Sequence, residues 1–178
     1  MLSDNTILKL KEAVGNYPDF PKEGIVFRDF FPIFRNPELL EDLLNVFQNY
    51  IQTHVPGLQC IAGVESRGFL IGPSLALKLK VPFIPIRKPG KLPGNVKRES
   101  YSLEYGVDAL EVQTDSLKPG QKVVIVDDLI ATGGSMEASV KLIRSAGGVV
   151  EHCVSVMELS DLKGREKISA PVYSILQY

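Results

Sequence analysis

VVIVDDLIATGGS, running from Val123 to Ser135, sets the architecture expected of this 178-residue chain. Val123, Val124, Ile125 and Val126 form a continuous β-branched run with no polar alternation. Such a run suits a parallel strand buried on both faces. Two adjacent carboxylates, Asp127 and Asp128, follow at the expected strand end. Ala131, Thr132, Gly133, Gly134 and Ser135 then open a helix. Met136, Val140 and Ile143 recur along it at i, i+4 and i+7, and Gly147-Gly148 stops it.

Further elements read outward from that unit. LQCIAGV, after Pro56-Gly57, is a short apolar strand. ESRGFLIGPSLALKLK is a turn followed by a helix, and PFIPIR is the next strand. Downstream, VVEHCVSVMEL and PVYSIL are strands, and DALEVQTDSL is a strand flanked by turns. Near the start, Ile7, Leu10 and Val14 mark an amphipathic helix. Asn36-Pro37 begins another, carrying Leu40, Leu43, Leu44, Phe47 and Ile51 at helical spacing. NYPDFPKEGIVFRDFFPIF, broken by prolines yet rich in aromatics, reads as an ordered loop with short extended pieces. Strands alternating with helices predict an α/β domain with a mostly parallel central sheet flanked by helices. Ligands of such sheets bind beyond the carboxyl ends of the strands. The loops after Val64, Ile86 and Val126 are therefore where chemistry is expected.

Length fits a single domain over residues 1–178. A composition of 44% hydrophobic and 23% charged residues excludes disordered, collagenous and coiled-coil classes. Twenty Lys+Arg against 21 Asp+Glu give a net charge of −1, so no global basic field exists to hold nucleic acid. A polyanion has to be met by a local cluster. Cys60 and Cys153 lie in apolar strand-like runs without metal spacing, as buried free thiols do. His54 and His152 have no partner pattern and read as structural or surface residues. The first residues, MLSDNTILKLKEAV, carry scattered charge, unlike a secretory leader. No apolar stretch nears the roughly 20 residues of a membrane helix. A soluble, cytoplasmic protein with no membrane partner is expected.

The Val123–Ser135 stretch also carries chemistry. Gly133 and Gly134 allow close backbone approach and positive φ. Free N–H groups at the helix start, with the hydroxyls of Thr132 and Ser135, form a cradle for a phosphate monoester. Asp127 and Asp128 can accept hydrogen bonds from neighbouring sugar hydroxyls. Together these features describe a site for a ribose 5-phosphate. The rival reading is a strand–turn–helix whose acids merely cap the helix. No lysine follows the glycines, as a P-loop requires, and no GxGxxG is present. Glu65-Ser66-Arg67-Gly68 also follows a strand, and Arg67 can fork onto diphosphate oxygens. Arg87, Lys88, Lys91, Lys97 and Arg98 place five cations within twelve residues. They read either as a solvated face or as a mobile lid closing on an anionic leaving group.

VVIVDDLIATGGS resembles the phosphoribosyl-diphosphate signature of the type I phosphoribosyltransferases. The resemblance extends over nearly the whole chain, through PDFPKEGIVFRD, GVESRGFLIGPSLA, PIRKPGKLPG, ESYSLEYG and ELSDLKGREK. It implies the type I phosphoribosyltransferase fold, with a small N-terminal hood over the base within 1–35 and a flexible lid at about 88–106. It implies transfer of the 5-phosphoribosyl group from phosphoribosyl diphosphate to adenine, giving AMP and pyrophosphate. It makes Glu65, Ser66 and Arg67 the pyrophosphate loop, with a cis peptide just before Ser66. Arg87, Lys88 and Lys91 become substrate-binding cations, one of them supplied across a homodimer. Glu104 becomes the acid–base group near purine N7, beside Tyr105 packed over the site; Glu104 and Arg67 are the catalytic residues. Backbone groups near Val26 and Arg28 would meet the base, with Phe27 and Leu129 as apolar walls, though Val26 and Phe27 also fit an ordinary core. Glu158, Leu159 and Lys163 would border the same pocket. Mg²⁺ is the implied cofactor, held through substrate and water with no direct protein ligand. Alternatives within the fold are a 6-oxopurine enzyme and a non-catalytic regulator; a chain of this length and charge leaves no space for the regulator's usual DNA-binding domain.

Overall fold

The structure, a computed structural model, describes residues 4–102 and 107–178. The Val123 stretch forms β7 (Lys122–Ile130), which lies at the centre of a five-stranded, all-parallel sheet. The order is β4 (Phe83–Ile86), β3 (Cys60–Val64), β7, β8 (Val149–Glu158) and β9 (Val172–Gln177). Val124 and Val126 enter one core cluster, and Val123 and Ile125 the other. Both faces of β7 are thus dry, as its unbroken apolar run predicts.

β7 runs longer than expected. It continues through Asp127 and Asp128 to Ile130, because Leu129 and Ile130 keep their ladder partners Met157 and Glu158 on β8. The two acids therefore sit inside the strand. The loop expected after Val126 begins after Ile130 instead.

One face of the sheet is covered by α1 (Asp4–Ala13), α3 (Pro37–His54) and α4 (Gly68–Leu79). Asn36 caps α3, accepting from the amides of Glu38 at 3.0 Å and Leu39 at 3.4 Å. Leu43, Phe47 and Ile51 are buried on its inner side. The other face is covered by α5 (Gly134–Ser145), on which Met136, Val140 and Ile143 are all buried. β5 (Val96–Ser102) and β6 (Val107–Gln113) pair antiparallel and lie on this same side, with Leu110 and Val112 in its core. DALEVQ thus leaves the parallel sheet and forms a ribbon with the cationic segment expected as a lid. A bridge between Arg87 and Glu111 joins the ribbon to the end of β4.

The proline-rich segment is more regular than expected. β1 (Gly15–Pro18) and β2 (Val26–Asp29) make an antiparallel hairpin, followed by the short α2 (Phe31–Phe34). Cys60 and Cys153 are buried and free. Burial pushes their thiols up to about 11 and about 12, which leaves them unreactive. His54 stacks on Tyr50 at 4.2 Å between ring centroids, and Tyr50 stacks on Tyr173 at 3.8 Å.

α4 approaches the sheet at Gly68, where a Cβ would lie 2.6 Å from the carbonyl oxygen of Val126. That oxygen belongs to the central strand and cannot yield. Gly68→Ala is expected to cost about 1–3 kcal/mol through overpacking, a drop of roughly 2–12 °C in Tm for a domain of this size. Thermal unfolding followed by circular dichroism checks this; an unchanged Tm would mean that α4 shifts freely.

Candidate active site

The carboxyl ends of β3 and β7 open into a cavity of about 280 Å³. Three chain segments and the ribbon build it. The β3–α4 turn gives Glu65, Ser66 and Arg67; the end of β7 gives Asp127, Asp128 and Leu129. The following turn gives Ala131, Thr132, Gly133 and Ser135, with Gly134 beside them at the helix start. Lys88 and Tyr101 close the remaining side.

The turn before α5 is shaped for an anion. Gly133 has φ +80°, a left-handed conformation that glycine adopts without strain. No side chain caps α5. Its first N–H groups are thus left without a side-chain acceptor, as an anion-binding helix start requires. The turn is also backed from outside. A Cβ on Gly164 would overlap the carbonyl oxygen of Ala131 and lie 2.8 Å from Gly133 N. Arg165 beside it forks onto the buried Glu158 at 2.9 and 2.6 Å. Gly164 is a residue that sequence reasoning missed. A glycine in the polar run LKGREK carries no local sign of the turn it packs against. Of the three residues expected near this pocket, Glu158 serves that clamp. Leu159 and Lys163 stand outside the cavity lining.

Asp127 and Asp128 are 9% and 2% exposed. Asp128 N donates to Asp127 Oδ1 at 2.9 Å. Arg67 Nε lies 3.0 Å from Asp128 Oδ2, yet that buried oxygen accepts no aligned hydrogen bond. Burial, and then the neighbouring Asp128 charge, push the Asp127 carboxyl well above its ordinary range. Burial also raises Asp128, against the pull of Arg67. The pair stays near the cavity at an energetic cost, and the missing partner is a donor.

The Glu65–Ser66 peptide is cis. Arg87 forks onto Glu65 at 3.1 Å from both Nε and Nη2, and Lys88 N adds a third bond at 2.9 Å. The Arg87 hydrogen bond leads the effects that hold Glu65 below the usual carboxylate range. Lys88 Nζ pairs with Asp108 and donates to the Tyr101 hydroxyl at 3.2 Å. Tyr101 in turn donates to Asp108 at 3.1 Å.

Other expected residues lie outside the cavity lining. Arg87 stands behind Glu65, with Nη1 donating to the Lys91 carbonyl at 3.2 Å, and Lys91 is at the surface. Val26, Phe27 and Arg28 lie in the β1–β2 hairpin. Val26 is exposed and Phe27 half-buried, which removes the reading of both as ordinary core. Phe27 lines a separate apolar hollow with Tyr17, Pro18 and Phe20. The Arg28 guanidinium lies over the Tyr178 ring, 4.4 Å from its centroid. Glu104 and Tyr105 fall outside the described residues.

A cradle, two buried acids and nearby cations can hold a phosphorylated sugar with an anionic substituent. Comparison with known proteins agrees. The phosphoribosyl transferase domain family matches residues 33–177. The adenine phosphoribosyltransferase of Eremothecium gossypii is 48% identical over 171 residues, covering 95% of this chain and 91% of that protein. The human adenine phosphoribosyltransferase is 45% identical over 179 residues, covering 99% of each. A crystal structure of the Saccharomyces cerevisiae adenine phosphoribosyltransferase, complexed with an imino-altritol bisphosphate and adenine, superposes with a TM-score of 0.95. It is 46% identical and covers 98% of this chain and 100% of that one.

Two outcomes are expected. The pKa of Asp127 is raised on folding, so stability is lost as pH climbs from the ordinary aspartate value of about 3.9 toward the folded pKa, and the loss stays in full above it. Asp127→Asn avoids that cost. It should raise the Tm of the ligand-free protein at pH 7 by about 2–4 °C per kcal/mol. The gain should shrink as pH falls and the wild-type carboxyl protonates; a lower Tm for the variant at pH 7 would contradict this. Gly164→Ala should displace the Ala131–Gly133 turn and weaken binding of ribose 5-phosphate, read by calorimetry. Unchanged affinity would mean that the turn does not rest on Gly164.

Proposed function

The chain belongs to the phosphoribosyl transferase family, and we propose that it transfers the 5-phosphoribosyl group of phosphoribosyl diphosphate to adenine, giving AMP and pyrophosphate. A buried acid pair directly before an uncapped, glycine-gated helix start carries this reading. The relatives named adenine phosphoribosyltransferase span nearly the whole chain and support adenine as the acceptor.

The 5-phosphate sits on the turn and helix start of Ala131, Thr132, Gly133, Gly134 and Ser135, where amides and hydroxyls donate to it. Asp127 and Asp128 accept from the ribose hydroxyls, and Asp128 Oδ2 gains the donor it lacks. This fixes C1 of the sugar for displacement. The C1–O bond to pyrophosphate breaks with oxocarbenium character as adenine N9 bonds to C1. Arg67 and Lys88 face the leaving group, with Arg87 and Lys91 behind them, and stabilise its growing charge. Glu65 and Ser66 shape that end of the cavity. Glu104 shares a proton with purine N7, and Tyr105 belongs to the same group of substrate-binding residues. The hood brings Val26, Phe27 and Arg28 over the base, and Leu129 forms the opposite wall.

Hard oxygen donors suit Mg²⁺, and the underused carboxylate oxygen of Asp128 fits water-mediated contact with it. Bound there, Mg²⁺ would supply charge neutralisation for the departing diphosphate. We infer a homodimer. Leu70 and Leu77, 42% and 80% exposed on one face of α4, offer an apolar surface to a second copy. Among the described residues no helix is long and apolar enough to cross a membrane. A cytoplasmic site of action is part of the proposal.

AMP formation from adenine, phosphoribosyl diphosphate and Mg²⁺ tests the reading. The Asp127→Ala/Asp128→Ala protein should lose activity; a wild-type rate from it would contradict the assignment. Glu104→Gln should lower kcat by about 10²–10⁴. Hypoxanthine turned over as well as adenine would contradict the choice of base.

A further inference from the structure

Glu111, on β6, is 1% exposed and lies outside the cavity lining. Its Oε1 accepts from the amides of Lys91 at 3.0 Å and Leu92 at 3.2 Å. Its Oε2 accepts from Arg98 Nη2 at 3.2 Å. Burial works against the charged carboxylate. The amides of Gly90, Leu92 and Lys91, then Arg98, outweigh it and hold its pKa below the usual range. The backbone of Glu111 also exchanges both hydrogen bonds with Arg87, at 2.8 and 3.0 Å. A single residue therefore ties both ends of the 87–92 segment. Gly90 turns that segment with φ +76°. Nothing else about a buried glutamate among Leu110 and Val112 accounts for such a full set of donors. An apolar residue would satisfy the core there at lower cost.

The segment that it ties down leads to the cavity. Lys88 lines the cavity. Arg87 and the Lys88 amide together hold Glu65, which lines it as well. The Lys91 carbonyl accepts from Arg87 and completes the loop.

We propose that Glu111 is a positioning residue for phosphoribosyl transfer: it fixes the 87–92 turn, and so sets Lys88 and the Arg87–Glu65 pair for the diphosphate end of the substrate. This rests on reading that end of the cavity as the diphosphate side. Glu111 touches no substrate. It acts through the backbone of the turn, against its own unfavourable charge near an anion. If its charge mattered directly, removing it would tighten diphosphate binding. If the turn matters, removing it loosens binding.

The test is Glu111→Gln in the full chain, which keeps the shape and neutralises the group. KM for phosphoribosyl diphosphate should rise about tenfold, as expected for losing hydrogen bonds to a charged group. KM for adenine should stay unchanged. A fall in kcat with both KM values unchanged would mark a loss of folded protein and overturn the proposal. A lowered or unchanged KM for phosphoribosyl diphosphate would overturn it too. Calorimetric binding of magnesium pyrophosphate reads the same difference without chemistry. A wild type that binds pyrophosphate but makes no AMP sinks the proposed reaction and still leaves the Glu111 comparison measurable. Should the variant not fold, hydrogen exchange on the wild type decides. The Lys91 and Leu92 amides should be protected beyond their surface position; fast exchange at both would overturn the proposal.

Discussion

Two neighbouring carboxylates held out of water inside a parallel strand, near its carboxyl end, constrain everything around them. Successive strand side chains point to opposite faces, yet Asp127 turns its Oδ1 back to the Asp128 amide, and the Asp128 charge raises its pKa. Burial makes the repulsion between the two stronger. The fold answers with the Arg67 cation, 3.0 Å from Asp128, and with backbone N–H groups, that of Asp128 onto Asp127 and that of Leu129 toward Asp128 among them. Neither suffices, since one buried carboxylate oxygen still lacks an aligned donor. A group that brings several hydroxyl donors relieves the arrangement. In the proposed reaction a ribose does this, with its phosphate on the helix start that follows the strand. The energetic cost of the ligand-free site would then become affinity and orientation for the sugar.

The surrounding glycines make the cost sustainable. Gly68 lets α4 press Arg67 toward the acids, and Gly164 holds the Ala131–Gly133 turn from behind. Charge is distributed in the same spirit. Arg67, Arg87 and Lys88 each have a carboxylate partner in the chain, namely Asp128, Glu65 and Asp108. A net charge of −1 thus conceals a site in which both signs are concentrated and paired. Under the proposed function an anionic substrate would enter by exchanging these partners, since no long-range field exists to draw it in.

Much of this was legible in residues alone, for physical reasons. An unbroken run of β-branched residues favours a strand dry on both faces, and Val123 to Val126 is one. Asn36-Pro37 had to begin a helix, because one supplies a cap and the other fits the first turn. The acid pair and the glycine turn named the ligand class, since their chemistry is local. What escaped was tertiary. Two aspartates read as the end of a strand, and only the pairing of Leu129 and Ile130 with β8 carries the strand past them. KRESYS read as part of a lid or as a solvated face, because its antiparallel partner, Val107–Gln113, is set by tertiary pairing. Gly164 and Glu111 have no local signature at all. One matters for what its missing side chain allows, the other for amides twenty residues away.

The relief of the acid pair by the sugar is the centre of this account, and carbon-13 NMR of aspartate-labelled protein measures it directly. Asp127→Asn and Asp128→Asn assign the two carboxyl signals. In the ligand-free protein the Asp127 signal should titrate well above the ordinary aspartate value of about 3.9. With ribose 5-phosphate bound it should move back toward that value, because hydroxyl donors favour the charged form. Titration in the ordinary range without ligand, or no change on binding, would contradict the account.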